Sequence, residues 1–324
     1  MPGFTTHYLF GVKNLQRLKK AESCPVLFQS IGKYKTVFQL GLQGPDLFFY
    51  YFVSQLKKTK LGSITHKTLT GDFLQCLVQA PELFSREKER QVARAYAAGF
   101  IGHYILDTEI HPYVYYMTGY GDELKQKGYA DHVVLESDMD ACLLMRYAKK
   151  LPSEFPHWKT IGFNAHTRSV VATALYHVYH TVYPQPNQSK AFFSRAICSI
   201  QMATRLTYNP NNYKREALQK IECFVLGKPG ISPIIPTDEI TYDDPLNLER
   251  KQWNNPWNPK DQSNQSVLEL IKRASVRYQE AFLQLEKLYE TDRSQDSYDI
   301  VLEELGGLLG QKSYHSGLDW ILGE

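Results

Sequence analysis

Gly102-His103-Tyr104-Ile105-Leu106-Asp107-Thr108-Glu109-Ile110-His111-Pro112 is the stretch that decides how the rest of the chain is read. His103, Asp107 and His111 stand four residues apart. At about 3.6 residues per turn they fall on one stripe of a helix. Pro112 lacks an amide donor and restricts the residue before it, so it predicts the end of that helix. His132 and Glu136 repeat the four-residue spacing on a second helix predicted over 130–150. A single His-x-x-x-acid pair is a common surface feature. Two such pairs close in sequence, with a third His in line, point instead to metal ligands. Imidazole and carboxylate are donors that suit Zn²⁺.

Upstream of the stripe, Ala93, Ala95, Ala97, Ala98, Gly99 and Gly102 leave little side chain on the helix. Such a surface admits close neighbours, as a helix at the centre of a bundle requires. The chain has 324 residues, enough for one large core or two modest ones, with 43% hydrophobic and 22% charged residues. A net charge of +3 with scattered Lys and Arg gives no reason to expect a nucleic-acid partner. No apolar run approaches the roughly 18 residues of a membrane span. Met1 to His7 contains no charged region followed by an apolar one, so no secretory signal and a cytoplasmic location are expected. Cys24, Cys76, Cys142, Cys198 and Cys223 are widely spaced and odd in number, which reads as reduced thiols.

Taken in order, a helix is predicted over 4–20, carrying His7; a lone His there is more often solvated than a ligand. A second amphipathic stretch, 35–43, ends at Gly44-Pro45-Asp46. Asp46 either projects from this turn or caps a helix opening with Leu47-Phe48-Phe49-Tyr50-Tyr51-Phe52. After a solvated connection at Lys57, Lys58 and Lys60, a helix is predicted from Thr65 to Leu83, with His66 in its first turn. Ser85 is the expected N-cap of the helix that leads to His103. Gly119 to Gly128 reads as a polar connection. Asp131 and Asp138 read as solvated, or as supports behind the ligands. Helices are predicted over 163–183, ended by Pro184-Gln185-Pro186, and over 189–207; His177 and His180 read as packing residues, without an acidic partner. A further helix, 212–226, precedes a Pro/Gly-rich loop. Residues 243–259 show no period, yet Trp253 and Trp257 need somewhere to pack. Helices follow over 264–290 and within 296–322. With no strand alternation and no repeat, the fold is expected to be all-α, a multi-helix bundle. Its helical metal-binding core is 1–208, and a helical extension, 209–324, is packed on it as one unit.

In this order His7, Asp46, His66, His103, Asp107, His111, His132 and Glu136 resemble the ligand set of the zinc-dependent phospholipase C family, itself related in fold to the S1/P1 nucleases. The resemblance spans about residues 4 to 150 and is tightest at His103-x3-Asp107 and His132-x3-Glu136. It implies an all-helical body with a cluster of two to three Zn²⁺ ions at the bottom of a cleft. His66, His103, Asp107 and Asp46 would surround one ion, His111, His132 and Glu136 a second, and His7 with a bridging Asp107 a third. It also implies hydrolysis of a phospholipid or another phosphodiester by activated water. Asp46, at the turn after Gly44-Pro45, is read as the carboxylate that orients this water or accepts its proton. Members of the family use a mature N-terminal Trp at the third ion. Here the chain begins Met1-Pro2, so the third site is expected to be the weakest. Residues from about 210 onward have no counterpart in the secreted enzymes, and Leu246 to Pro259 is either a lid over the cleft or a packing strap. The reading from a different class is a non-catalytic helical protein with structural zinc, whose sites would be closed by four protein ligands. A nuclease-like activity has less support, because no basic groove with interleaved aromatics is visible.

Overall fold

The computed structural model describes residues 3–55, 60–119, 127–183, 187–227 and 229–320. Its first helices are α1 (Phe4–Ala21), α2 (Pro25–Lys33) and α3 (Lys35–Gly41), followed by a 3₁₀ turn at Gly44–Phe48. Short helices α4 (Phe52–Gln55) and α5 (Leu61–Thr65) lead to α6 (Thr70–Gln79) and to the long α7 (Glu87–Thr118). Then come α8 (Lys127–Ala148), α9 (Ala165–Val182), α10 (Lys190–Thr207) and α11 (Lys214–Leu226). A small antiparallel hairpin, β1 (Trp253–Asn255) and β2 (Asn258–Ser263), precedes α12 (Val267–Glu290) and α13 (Asp296–Leu309). The fold is all-α apart from that hairpin.

With 32 residues, α7 is about 48 Å long. It is buried on every face from Gln91 to Val114, the stripe of His103, Asp107 and His111 included. α1, α2, α3, α8, α9 and α12 all pack against it. Small residues set how close they come. A Cβ built at Gly99 would overlap the Phe38 carbonyl of α3, and one at Gly41 would overlap the Tyr96 carbonyl of α7. The two backbones therefore touch directly, and His103, one turn after Gly99, is brought beside the chain that leaves α3.

Hydrogen bonds tie the later helices to this centre. The Tyr278 hydroxyl of α12 donates to the Ala98 carbonyl at 3.0 Å. Arg273 and Arg277 of α12 converge on the buried Glu109 carboxylate. Arg277 also donates to the Leu309 carbonyl at 2.6 Å, holding the end of α13. Residues 310–320 then fold back onto α7. The Tyr104 hydroxyl donates to the Leu309 carbonyl and accepts from the Lys312 amide, both at 2.9 Å.

Several local expectations are corrected. Pro112 does not end its helix: α7 continues to Thr118, and Gly119 terminates it in a positive-φ conformation. Pro112 costs one intrahelical bond, that to the Thr108 carbonyl, and Gly317 is packed directly against that carbonyl. The aromatic run after Asp46 does not open a helix but continues a 3₁₀ turn. Nor does Thr65 start one. α5 ends there, His66 is its C-cap, and α6 begins only at Thr70. Arg86, rather than Ser85, occupies the N-cap position of α7. Asp138 is fully buried and accepts from the Thr241 and Tyr242 amides at 2.8 Å, whereas Asp131 is exposed as expected. His177 and His180 lie on the surface rather than in packing positions. The aperiodic 243–259 segment packs on α7. Trp253 is buried against Tyr113 at 5.6 Å, and its indole donates to the Gln265 carbonyl at 3.0 Å. Lys57 and Lys58, most of the Gly119–Gly128 connection and Pro184–Pro186 lie outside the described residues.

The close approach of α3 and α7 generates a direct test. Gly99→Val should destabilise the protein by about 3 kcal/mol or more in urea unfolding, because backbone rather than a flexible side chain blocks the new atoms. A loss below about 1 kcal/mol would contradict this packing.

Candidate metal centre

Five elements bring the eight candidate residues to one place. α7 supplies His103, Asp107 and His111 from one stripe, all without solvent exposure. α1 contributes His7, the 3₁₀ turn Asp46, and the C-cap of α5 His66. α8 brings His132 and Glu136 one turn apart. The turn that carries Asp46 depends on Gly44. Its φ is +50°, and a Cβ there would overlap the imidazole of His103, so any other residue would push Asp46 or His103 out of place.

The polar atoms meet at short range. His7 Nε2 lies 3.1 Å from Asp107 Oδ1, and His103 Nε2 lies 3.1 Å from Asp107 Oδ2. His66 Nε2 is 3.2 Å from Asp46 Oδ1 and 3.7 Å from Asp107 Oδ2. His132 Nε2 is 3.0 Å, and His111 Nε2 3.7 Å, from Glu136 Oε1. Despite these distances, His7 Nε2, His66 Nε2, His103 Nε2, His111 Nε2, Asp46 Oδ1 and both Asp107 oxygens have no hydrogen-bond partner among the described residues. Buried polar atoms without partners are costly, so a concentration of them needs an explanation. A cation between them provides one. Tetrahedral zinc with bonds of about 2.0–2.1 Å places its ligand atoms about 3.3–3.4 Å apart, inside the observed 3.0–3.7 Å range.

Donor atoms fall into three groups, each with every atom within 4.8 Å of the others: His7, His103 and Asp107; Asp46, His66 and His103; His111, His132 and Glu136. His103 belongs to the first two groups. The imidazoles are oriented from behind. His66 Nδ1 faces the Gly62 carbonyl at 2.6 Å, His103 Nδ1 the Leu42 carbonyl at 3.1 Å, and His111 Nδ1 the Tyr314 carbonyl at 2.7 Å. Each Nδ1–H is thereby committed to a backbone oxygen, and each Nε2 lone pair points into the cluster.

Electrostatics agree with this arrangement. Burial pushes the pKa of His7, His111 and His132 below the ordinary value, which keeps the rings neutral and their lone pairs available. Burial also lowers His103, but Asp107 and Asp46 outweigh it and leave its pKa raised. For Asp107 burial alone would favour the protonated acid, yet His103, His111 and His7 together hold its carboxyl well below the usual range.

Asp46 is not a helix cap. It sits inside the 3₁₀ turn, where no side-chain cap bond forms. Its carboxyl is instead turned to His66 and His103 and lines a cleft of about 130 Å³ together with Glu136, Phe49 and Tyr50.

Sequence reasoning missed three contributors. His315 lies with its ring 5.5 Å from His66, 6.0 Å from His111 and 5.3 Å from Tyr115. Its neighbour Tyr314 is fully buried, donates its amide to the His66 carbonyl at 3.0 Å and accepts from His111. No spacing links these residues to the eight candidates, because they arrive from the far end of the chain. The third is Asp140, one turn beyond Glu136. It accepts from the Thr5 amide at 2.9 Å and from the Thr6 amide and hydroxyl at 2.7 and 2.6 Å. The helix with His132 and Glu136 is thus locked to the helix N-terminus that carries His7; an Asp at i+4 from Glu136 was the available signal.

Asp140→Ala should cost about 1–3 kcal/mol in unfolding experiments, since the Thr5 and Thr6 amides lose their acceptor. Asp140→Asn, which keeps one acceptor oxygen, should cost clearly less. Equal stability of wild type and Asp140→Ala would mean that this lock carries no weight.

The family model for zinc-dependent phospholipase C matches residues 6–192, more than half of the chain. That span includes all eight candidate ligands. Comparison with curated proteins and with solved structures gives no match. The centre described above and this match lead to one conclusion: the chain belongs to the zinc-dependent phospholipase C family.

Proposed function

We propose that this protein hydrolyses phosphodiesters, with a phospholipid as the substrate class, through two to three zinc ions held by His7, Asp46, His66, His103, Asp107, His111, His132 and Glu136. The observation that carries the reading is the concentration of buried imidazole nitrogens and carboxylate oxygens of His7, Asp46, His66, His103, Asp107 and His111 without hydrogen-bond partners among the described residues, beside a cleft lined by Asp46 and Glu136. Among the described residues His111, His132 and Glu136 form a group of three donors, and an ion held by three protein ligands would keep a position open. An open position favours catalysis over structural zinc, which four protein ligands would close. Zinc supplies Lewis acidity toward water and the phosphoryl oxygens in such clusters.

This chain's own residues do the rest. Asp107, with its two oxygens directed at different imidazoles, would hold metal through both of them. Asp46 faces both the cluster and the cleft, so its carboxylate can orient the attacking water and take its proton. Phe49, Tyr50, Leu144 and Ile234 give the cleft apolar walls next to these carboxylates. An amphipathic ligand with a phosphate at its polar end fits that combination.

Asp46→Asn should lower phospholipid head-group release by about 10²–10⁴, with melting temperature and zinc content nearly unchanged. Full activity in this variant would remove Asp46 from the chemistry. Chelation followed by dialysis should abolish activity, and zinc should restore it. His132→Ala and Glu136→Ala should each lower zinc content and thermal stability together. Unchanged metal content in both would exclude the α8 pair as ligands.

A further inference from the structure

The described surface carries an apolar patch that the cleft chemistry does not use. α11 buries little of itself against the body; its main neighbour is the 3₁₀ turn Ser232–Ile234. Its inward group is a carboxylate. Glu222 is buried and accepts from the Gly230, Ile231 and Ser232 amides at 2.8, 2.6 and 3.1 Å. The apolar residues Ile221, Phe224, Val225 and Leu226 face solvent, and Phe224 is 92% exposed. Leu206 at the end of α10 and Ile231 beyond α11 are exposed beside this helix in sequence. A helix that turns a carboxylate inward and a phenyl ring outward reverses the pattern of a helix docked on its own core. Clustered exposed apolar side chains of this kind mark an interaction surface.

Two observations select the partner. Residues 205–231 contain five Lys and Arg against two Glu, a net +3 that equals the charge of the whole chain. One of those two acids, Glu222, is turned inward, and the other, Glu216, lies 3.9 Å from Lys220 at the surface, which leaves the remaining Lys and Arg in excess. Like charge disfavours a second copy on this face, whereas exposed aromatic and aliphatic residues among basic ones suit an anionic lipid surface. The second observation is continuity with the cleft. Pro233 and Ile234 of the turn gripped by Glu222 also line the cleft that contains Asp46 and Glu136.

We infer that α11 and the turn after it form a docking face for an anionic phospholipid bilayer, with Phe224 and Val225 entering the interface and the cleft mouth held beside it. The identity of the surface rests on the phospholipid reading above. Seated this way, the helix would deliver a lipid head group to the cleft without the protein leaving the membrane.

The test is sedimentation with vesicles of phosphatidylcholine, with and without phosphatidylserine, comparing wild type and Phe224→Asp/Val225→Asp. Both side chains are exposed, so the double variant should fold as wild type, which circular dichroism checks. Wild type should bind phosphatidylserine-containing vesicles more tightly than neutral ones, with affinity falling as salt rises. The double variant should bind at least about tenfold more weakly, while hydrolysing the soluble diester bis(p-nitrophenyl) phosphate at the wild-type rate. Absence of vesicle binding by wild type, or equal binding by the variant, would overturn the inference. So would a wild-type dimer that the double substitution dissolves. If binding behaves as expected but no diester is cleaved, the docking face stands and the hydrolase reading fails. Cleavage without vesicle binding refutes the docking face and leaves the hydrolase reading standing.

Discussion

Asp107 is a fully buried carboxylate at the middle of a helix that has no exposed face through this region, and neither of its oxygens receives a hydrogen bond from the described residues. An ionised group in that position is strongly unfavourable unless positive charge is brought to it. The surrounding structure can be understood as the means of bringing it. His7, His66 and His103 converge from three different elements to within 3.1–3.7 Å of its oxygens. Burial holds the pKa of His7 down, so that ring does not supply the compensating charge as an imidazolium. Metal ions would resolve both sides of the problem, compensating the carboxylate and taking neutral rings as ligands.

The helices that carry these groups are positioned by contacts that have little to do with chemistry. Small residues let α3 reach the backbone of α7, which sets the Leu42 carbonyl behind His103. Asp140 ties α8 to the first turn of α1. The C-terminal chain closes the far side: α12 is fixed to α7 through Tyr278 and the Glu109–Arg273–Arg277 group, and the segment after α13 lays Tyr314 and His315 against His66 and His111. Residues beyond the family match at 192 therefore contribute to the site's wall and to the orientation of its imidazoles.

The helical fold and the two His-x-x-x-acid pairs are legible in the sequence because both rest on local spacing. Four-residue intervals at His103, Asp107 and His111 survive any arrangement of neighbours. Boundaries are less legible. Pro112 reads as a stop, yet tertiary packing on every side of α7 outweighs one lost intrahelical bond. The aromatic run at Leu47–Phe52 offers no period to read, and its 3₁₀ turn follows from the positive φ of Gly44 and the bulk of His103 beside it. His315, Tyr314 and the role of Asp140 depend on contacts across 100 to 250 positions, which no window along the chain reveals. Asp138 reads as a solvated acid because nothing local discloses the Thr241 and Tyr242 amides that meet it.

The central claim is that these buried donors exist to hold zinc. Anomalous diffraction at the zinc edge from crystals of the purified protein tests it most directly. The account predicts two or three peaks inside the cluster: one among Asp46, His66 and His103, one among His111, His132 and Glu136, and a further one where His7 meets Asp107. A map with no anomalous peak at these positions after zinc reconstitution, with Asp107 and its neighbours still buried and ordered, would contradict it.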